Sequence, residues 1–306
     1  MYDVAREIRN IRTVAAKEFM DNLLSKRFIV IGVFYLGLAL VLVFLAWSEF
    51  YSFARYLSDP SLDAMSQAYV RSMVDAFKPE QVLSSMNYLN LVLALLAVFA
   101  SSDTISMEKK DRTIYQLASK PVERSSIVAG KFLGCLGVVT SLFLGCALLA
   151  YGLTSLVTGR YPASGDLPAA AAAILSMVPL LAVYVAIGVL ISTLTKNPII
   201  SIVGSVAVCL GLWLAGKLGD VHGQLSLPDP TGIAGDPFNS FPLYDKAMIW
   251  IDPIHHGIVT QLLAADPAAQ VAAGMPLWAN VVFVVAYTGA LLALAIALFS
   301  YQDISG

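Results

Sequence analysis

Six stretches of this chain, residues 28–47, 88–104, 132–157, 168–194, 199–218 and 276–300, are apolar and carry no charge in their middle. About 20 such residues, wound into a helix rising 1.5 Å per residue, cross the ~30 Å hydrocarbon core of a bilayer. The expected fold is therefore all-α: one polytopic transmembrane domain over residues 1–306 with six transmembrane helices. Composition agrees. Of 306 residues, 58% are hydrophobic and 13% charged, against about 45–50% and 25% in soluble domains, and the mean hydropathy is +0.74. A soluble enzyme of this length, a disordered chain and a binder with a basic face are excluded. The net charge of −2 supplies no general attraction to nucleic acid, so the bilayer is the expected partner and nucleic acid is not. Cys135, Cys146 and Cys209 all fall inside apolar runs and read as packing thiols rather than a disulfide framework.

Orientation follows from where lysine and arginine sit, because these are held on the cytosolic side. Residues 1–27 carry Arg6, Arg9, Arg12, Lys17, Lys26 and Arg27. The connection 105–131 carries Lys109, Lys110, Arg112, Lys120, Arg124 and Lys131, and Lys196 lies between the fourth and fifth runs. The six others are spread thinly over the long connections 48–87 and 219–275 and their surroundings. Thirteen against six places both termini in the cytosol, in agreement with an even number of crossings. The leader is too long for a cleaved signal sequence, and Trp47-Ser48-Glu49-Phe50 offers no small-residue cleavage site, so the first run is expected to be retained.

The connections carry structure of their own. In the leader, Val4, Ile8, Ile11, Ala15, Phe19 and Leu23 recur every three or four residues, which predicts an amphipathic helix along the inner membrane face. In 105–131, Ile114, Leu117 and Ala118 share one helical face, Asp111 or Thr113 can cap its start, and Pro121 discourages continuation. A two-turn, charge-rimmed helix of that kind suits a groove in a soluble partner; a solvated loop satisfying the charge rule is the alternative. On the other side, Leu62, Met65, Tyr69, Met73 and Phe77 predict an interfacial helix, and Asp252-Pro253 predicts a capped helix start. His255 and His256, with Asp252 close by, are the only candidates for a metal; neighbours on a helix point about 100° apart, and their spacing does not specify one.

Other chemistry is missing from the sequence. No apolar run carries a central charge for a proton relay, and no metalloprotease or nucleophile-elbow motif occurs. The string nearest to a phosphate-binding loop, Ala129-Gly130-Lys131-Phe132, lacks both the earlier Gly and the hydroxyl after Lys. Any nucleotide hydrolysis that drives this chain is expected on another polypeptide. Gly130 and Gly134 form a small-xxx-small step that allows close helix approach.

Glu108, then Thr113-Ile114, then Leu117-Ala118-Ser119-Lys120-Pro121-Val122-Glu123-Arg124, leading to Gly130-Lys131, resembles the segment between the second and third spans of type-2 (ABC-2, exporter-like) ABC transporter permeases. Ala16-Lys17-Glu18-Phe19 with Asp21 resembles the elbow helix before the first span of the same family. Arg112 stands where that family usually has Gly. The resemblance implies a permease subunit without its own ATPase motifs, expected to export a substrate across a prokaryotic plasma membrane. It would pair with a second permease copy or homologue and with cytosolic ABC ATPase subunits, which bind the ATP and Mg; this chain binds no cofactor. Glu108, Arg112, Thr113, Ile114, Leu117, Lys120, Pro121 and Arg124 would couple it to the ATPase, with Lys17, Glu18 and Asp21 on the elbow helix. The competing reading is a membrane scaffold of an assembly or metal-site maturation system that holds an extracytoplasmic partner through the long 219–275 connection.

Overall fold

The computed structural model of the chain describes residues 4–58, 61, 63–77, 79, 82–83, 86–113, 123–161, 167–225, 242–256 and 277–301. These residues form helices and turns, with no strand among them. The helices are α1 (Val4–Leu23), α2 (Lys26–Tyr56), α3 (Ala64–Ala76), α4 (Asn90–Ser101), α5 (Ser106–Lys110), α6 (Arg124–Thr158), α7 (Leu167–Leu175), α8 (Met177–Leu194), α9 (Pro198–Leu225), α10 (Leu243–Ile251) and α11 (Leu277–Tyr301). Among the described residues six helical segments are long and apolar enough to cross a membrane: α2, the α4–α5 pair, α6, α8, α9 and α11. A backbone without water must satisfy its own hydrogen bonds, which is why the uncharged runs become helices.

Packing divides the six by burial. In their apolar windows, 72% of α4–α5 and of α8 is buried, against 28%, 22% and 17% for α2, α9 and α11. α8 touches α4, α6, α9 and α11 and forms the centre, while the outer helices turn apolar faces such as Val30, Val33, Ile199 and Val285 outward. Where α4 and α8 cross, a Cβ on Gly188 would run into the Ser101 hydroxyl and stand 3.0 Å from Ser101 Cβ, so a larger residue there would displace that serine.

Several elements differ from their expected bounds for local reasons. α2 continues about two and a half turns beyond residue 47, to Tyr56. The second crossing is interrupted over 102–105, where Ser101, Ser102, Asp103 and Thr104 offer side chains that compete with helix hydrogen bonds; Thr104 Oγ1 donates to the Ser101 carbonyl at 3.0 Å. α6 starts at Arg124 and so takes in the last residues of the expected 105–131 connection. The fourth crossing breaks at Ser176, which puts Pro179 in the first turn of α8, where its missing N–H is not needed. α10 has no counterpart in the sequence reading.

In α1 the inward face is rotated from the apolar stripe. Ile8 is 61% and Leu23 37% exposed, while Glu7, Val14, Glu18 and Asn22 turn inward beside Ile11, Ala15 and Phe19. The reason is polar: Glu7 accepts from Ser125 and Ser126, and Glu18 and Asn22 have partners on α6.

Candidate functional site

At one end of the bundle the starts of α2, α6 and α9 meet the ends of α4, α8 and α11, and α1 packs along the first turns of α6. Lys131, in the second turn of α6, is the organising residue. Its side chain is 2% exposed, and its ammonium lies 2.8 Å from Glu18 Oε2 on α1 and 3.0 Å from Glu108 Oε1 on α5. One cation thus joins three helices. The glycines around it make the approach possible: a Cβ on Gly130 would stand 2.6 Å from Val14 Cβ, and one on Gly134 2.6 Å from Glu18 Cβ and 2.7 Å from the Ala15 carbonyl oxygen.

Around this triad, charged and hydroxyl side chains close the ends of the neighbouring helices. Lys109 donates to the Thr193 carbonyl at 2.5 Å, at the end of α8. Arg124 donates to the Ser300 carbonyl at 2.8 Å and the Phe299 carbonyl at 3.4 Å, at the end of α11. Cations there complete unpaired carbonyls and meet the negative pole of the helix. The interruption between α4 and α5 is held from two sides: Ser192 Oγ accepts from the Ile105 and Ser106 N–H groups at 3.0 and 2.9 Å, and Ser201 Oγ donates to the Ser102 carbonyl. Arg27 pairs with Asp103 at 2.5 Å, beside an apolar trough of about 540 Å³ lined by Phe28, Ile31, Leu96, Phe99 and Ile202.

Of the residues read from the sequence, Glu18, Glu108 and Arg124 are brought into this network. Thr113 Oγ1 donates to the Glu108 carbonyl at 3.4 Å. Lys17 and Asp21 are exposed and turn away from the triad. Ile114, Leu117, Lys120 and Pro121 lie outside the described residues. Lys131, Lys109 and Ser192 were not singled out as site residues; a lysine leading an apolar run reads as boundary charge, and a serine near a helix end has many local uses.

Arg112 has φ 59°, the one non-glycine with positive φ among the described residues. This is the position where the resembled family carries Gly, and the left-handed turn is made here in spite of the Cβ. Arg112→Gly is expected to stabilise the chain by about 0.5–1 kcal/mol, measured as a small rise in Tm in detergent. A fall would mean that the Arg112 side chain contributes more than its backbone strain costs.

The opposite end is closed by a polar cluster. His256, 2% exposed, places Nδ1 2.8 Å from Asn280 Oδ1 and Nε2 2.9 Å from the Trp250 carbonyl, and Asn280 Nδ2 donates to the His256 carbonyl at 2.8 Å. Both ring nitrogens of His256 are thus engaged by protein oxygens, and among the described residues no group of three His, Cys, Asp or Glu side chains could hold a metal. His222, on α9, lies 3.1 Å from Asp245 Oδ2 on α10. Asp252 caps the short turn after it, accepting from the Ile254 N–H at 3.0 Å.

Two groups of this cluster titrate in opposite senses. Burial pushes the Asp252 carboxyl up to about 6, against the Ile254 N–H and Lys217, which favour the carboxylate. Burial takes His255 down to about 4, assisted by His256 and Lys217. From its usual 3.8 up to about 6, folded Asp252 holds a proton that the unfolded chain has released, so its contribution to stability falls as pH rises. Between about 4 and 6.5 unfolded His255 holds a proton that the folded chain lacks, so its contribution rises with pH. The two slopes offset each other in the wild type. Asp252→Asn is expected to give a Tm that climbs from pH 4 to 6.5 and His255→Gln one that declines; identical profiles for both variants would refute the assignment.

The family model described as ABC-2 family transporter protein matches residues 12–304. No curated protein matches the chain.

Proposed function

This chain belongs to the ABC-2 transporter family, and on that premise we propose that it is the membrane-spanning permease subunit of an ATP-driven exporter in a plasma membrane. ATP is bound and hydrolysed on separate cytosolic ATPase subunits, which engage residues 105–124, and the permease pairs with a second copy or a homologue. Both termini face the cytosol, as the lysine and arginine distribution favours.

The observation that carries this reading is the Lys131 triad. Glu108 sits six residues before the segment 114–121, and its carboxylate is bound to the same ammonium as Glu18 of α1. A displacement of α5 by a partner is therefore passed to α1 and to the start of α6 through charge-assisted contacts, which tolerate little stretching. Lys109 and Arg124 extend the same connection to the ends of α8 and α11.

The test uses the complex purified from native membranes. With Glu108→Gln or Arg124→Ala, ATP hydrolysis should persist while the ATP-dependent distance change between spin labels on the far ends of α2 and α11 is lost. An unaltered distance change in both variants would remove these residues from the coupling path.

A further inference from the structure

The helix α3 follows the far end of α2, opposite α1, and presents a face that the described chain leaves open. On one flank Val74 is buried as α3 packs on α2, and Phe77, at the C-cap, lies with its ring centroid 5.1 Å from that of Phe50. On the other flank Met65, Tyr69 and Met73, four residues apart, are 83%, 61% and 38% exposed. Arg71 and Asp75 fall on the remaining arc, where Asp75 accepts from Arg160 at 3.2 Å. Single exposed apolar side chains are ordinary, but an aligned stripe opposite a charged arc is the build of a helix lying at a membrane boundary.

The level of α3 along α2 identifies what covers the stripe. From Phe28 to Phe50 is 22 residues of continuous helix, about 33 Å at 1.5 Å per residue, just beyond the ~30 Å hydrocarbon thickness. Phe44, Trp47 and Tyr51 form a ladder on the same part of α2, each step 5.7 Å between ring centroids, and aromatic residues concentrate where membrane meets water. The Phe50–Phe77 contact holds the C-terminal end of α3 at that level.

We propose that α3 is an in-plane anchor whose Met65, Tyr69 and Met73 are seated among the phospholipid acyl chains of the leaflet farthest from α1, with Arg71 and Asp75 toward water. It fixes the far end of α2 relative to the bilayer.

The experiment reconstitutes the full chain into vesicles of phosphatidylcholine with a minor fraction of phosphatidylglycerol. Single spin labels are placed by Met65→Cys, Tyr69→Cys, Met73→Cys and Arg71→Cys, with the native thiols Cys135, Cys146 and Cys209 buried. Labels at 65, 69 and 73 should be accessible to oxygen, shielded from a water-soluble nickel chelate and about 5–10 Å below the phosphate level, while the label at 71 shows the reverse. Nickel access equal to that at 71 would overturn the proposal by placing the helix in water. Shielding of 65, 69 and 73 from both reagents would overturn it in favour of a protein cover, a second copy or another chain.

Discussion

Lys131→Met is expected to lower the stability of the folded chain by about 3–5 kcal/mol, the usual cost of removing one member of a buried ion pair. The side chains of Glu18 and Glu108 are only 13% and 17% exposed, so two carboxylates would be left close together with little water and no cation. The loss should appear as a large drop in Tm in detergent and as release of α1 from α6. The triple variant Lys131→Met, Glu18→Gln, Glu108→Gln removes the uncompensated charges as well and should recover much of the Tm. Its coupling should stay defective, because neutral contacts replace the charge-assisted ones. An unchanged Tm in the single variant would mean that Lys131 does not hold the three helices together.

The second large effect is steric. Gly134→Leu puts a side chain where even a Cβ meets Glu18 Cβ at 2.6 Å and the Ala15 carbonyl at 2.7 Å, so α1 must move away. Overpacking of this kind costs about 1–3 kcal/mol, which converts to roughly 5- to 150-fold more frequent undocking of α1. Cleavage by trypsin at Arg12 or Lys17 should accelerate by a similar factor, because proteolysis follows the population of the open form. Gly145→Ala, on the same helix with nothing within 4 Å of the added carbon, is the control and should leave cleavage unchanged. Equal acceleration in both would show a general weakening of α6 instead of a specific clash with α1.

The six crossings were legible because lipid imposes a single requirement, a long run without charge, that a sequence displays directly. The concentration of basic residues in 1–27 and 105–131 was legible for the same reason. The docking of α1 on the bundle was not. Its apolar period predicts a stripe along the membrane face and says nothing of Glu7, Glu18 and Asn22, whose partners lie on α6, more than 100 residues away. Gly130 and Gly134 announced a close approach without naming what approaches. The caps made by Lys109, Arg124 and Ser192 are likewise long-range and leave no local period. α10 was hidden by its position after a Pro- and Gly-rich stretch, although Asp245 in its first turn is an ordinary start signal. Arg112 went the other way: standing where the resembled family usually has Gly, it put the local turn in doubt, yet the backbone takes a left-handed conformation there with φ 59°.

In the proposed function residues 105–124 receive a cytosolic ATPase and pass its motion into the bundle through Lys131. A photo-crosslinking amino acid at position 117, introduced into the full chain in its native membrane, should then crosslink to a nucleotide-binding ATPase subunit that co-purifies with the chain, with a yield that changes when ATP is added. Crosslinks to lipid alone, or purification of the chain without any ATPase, would contradict it.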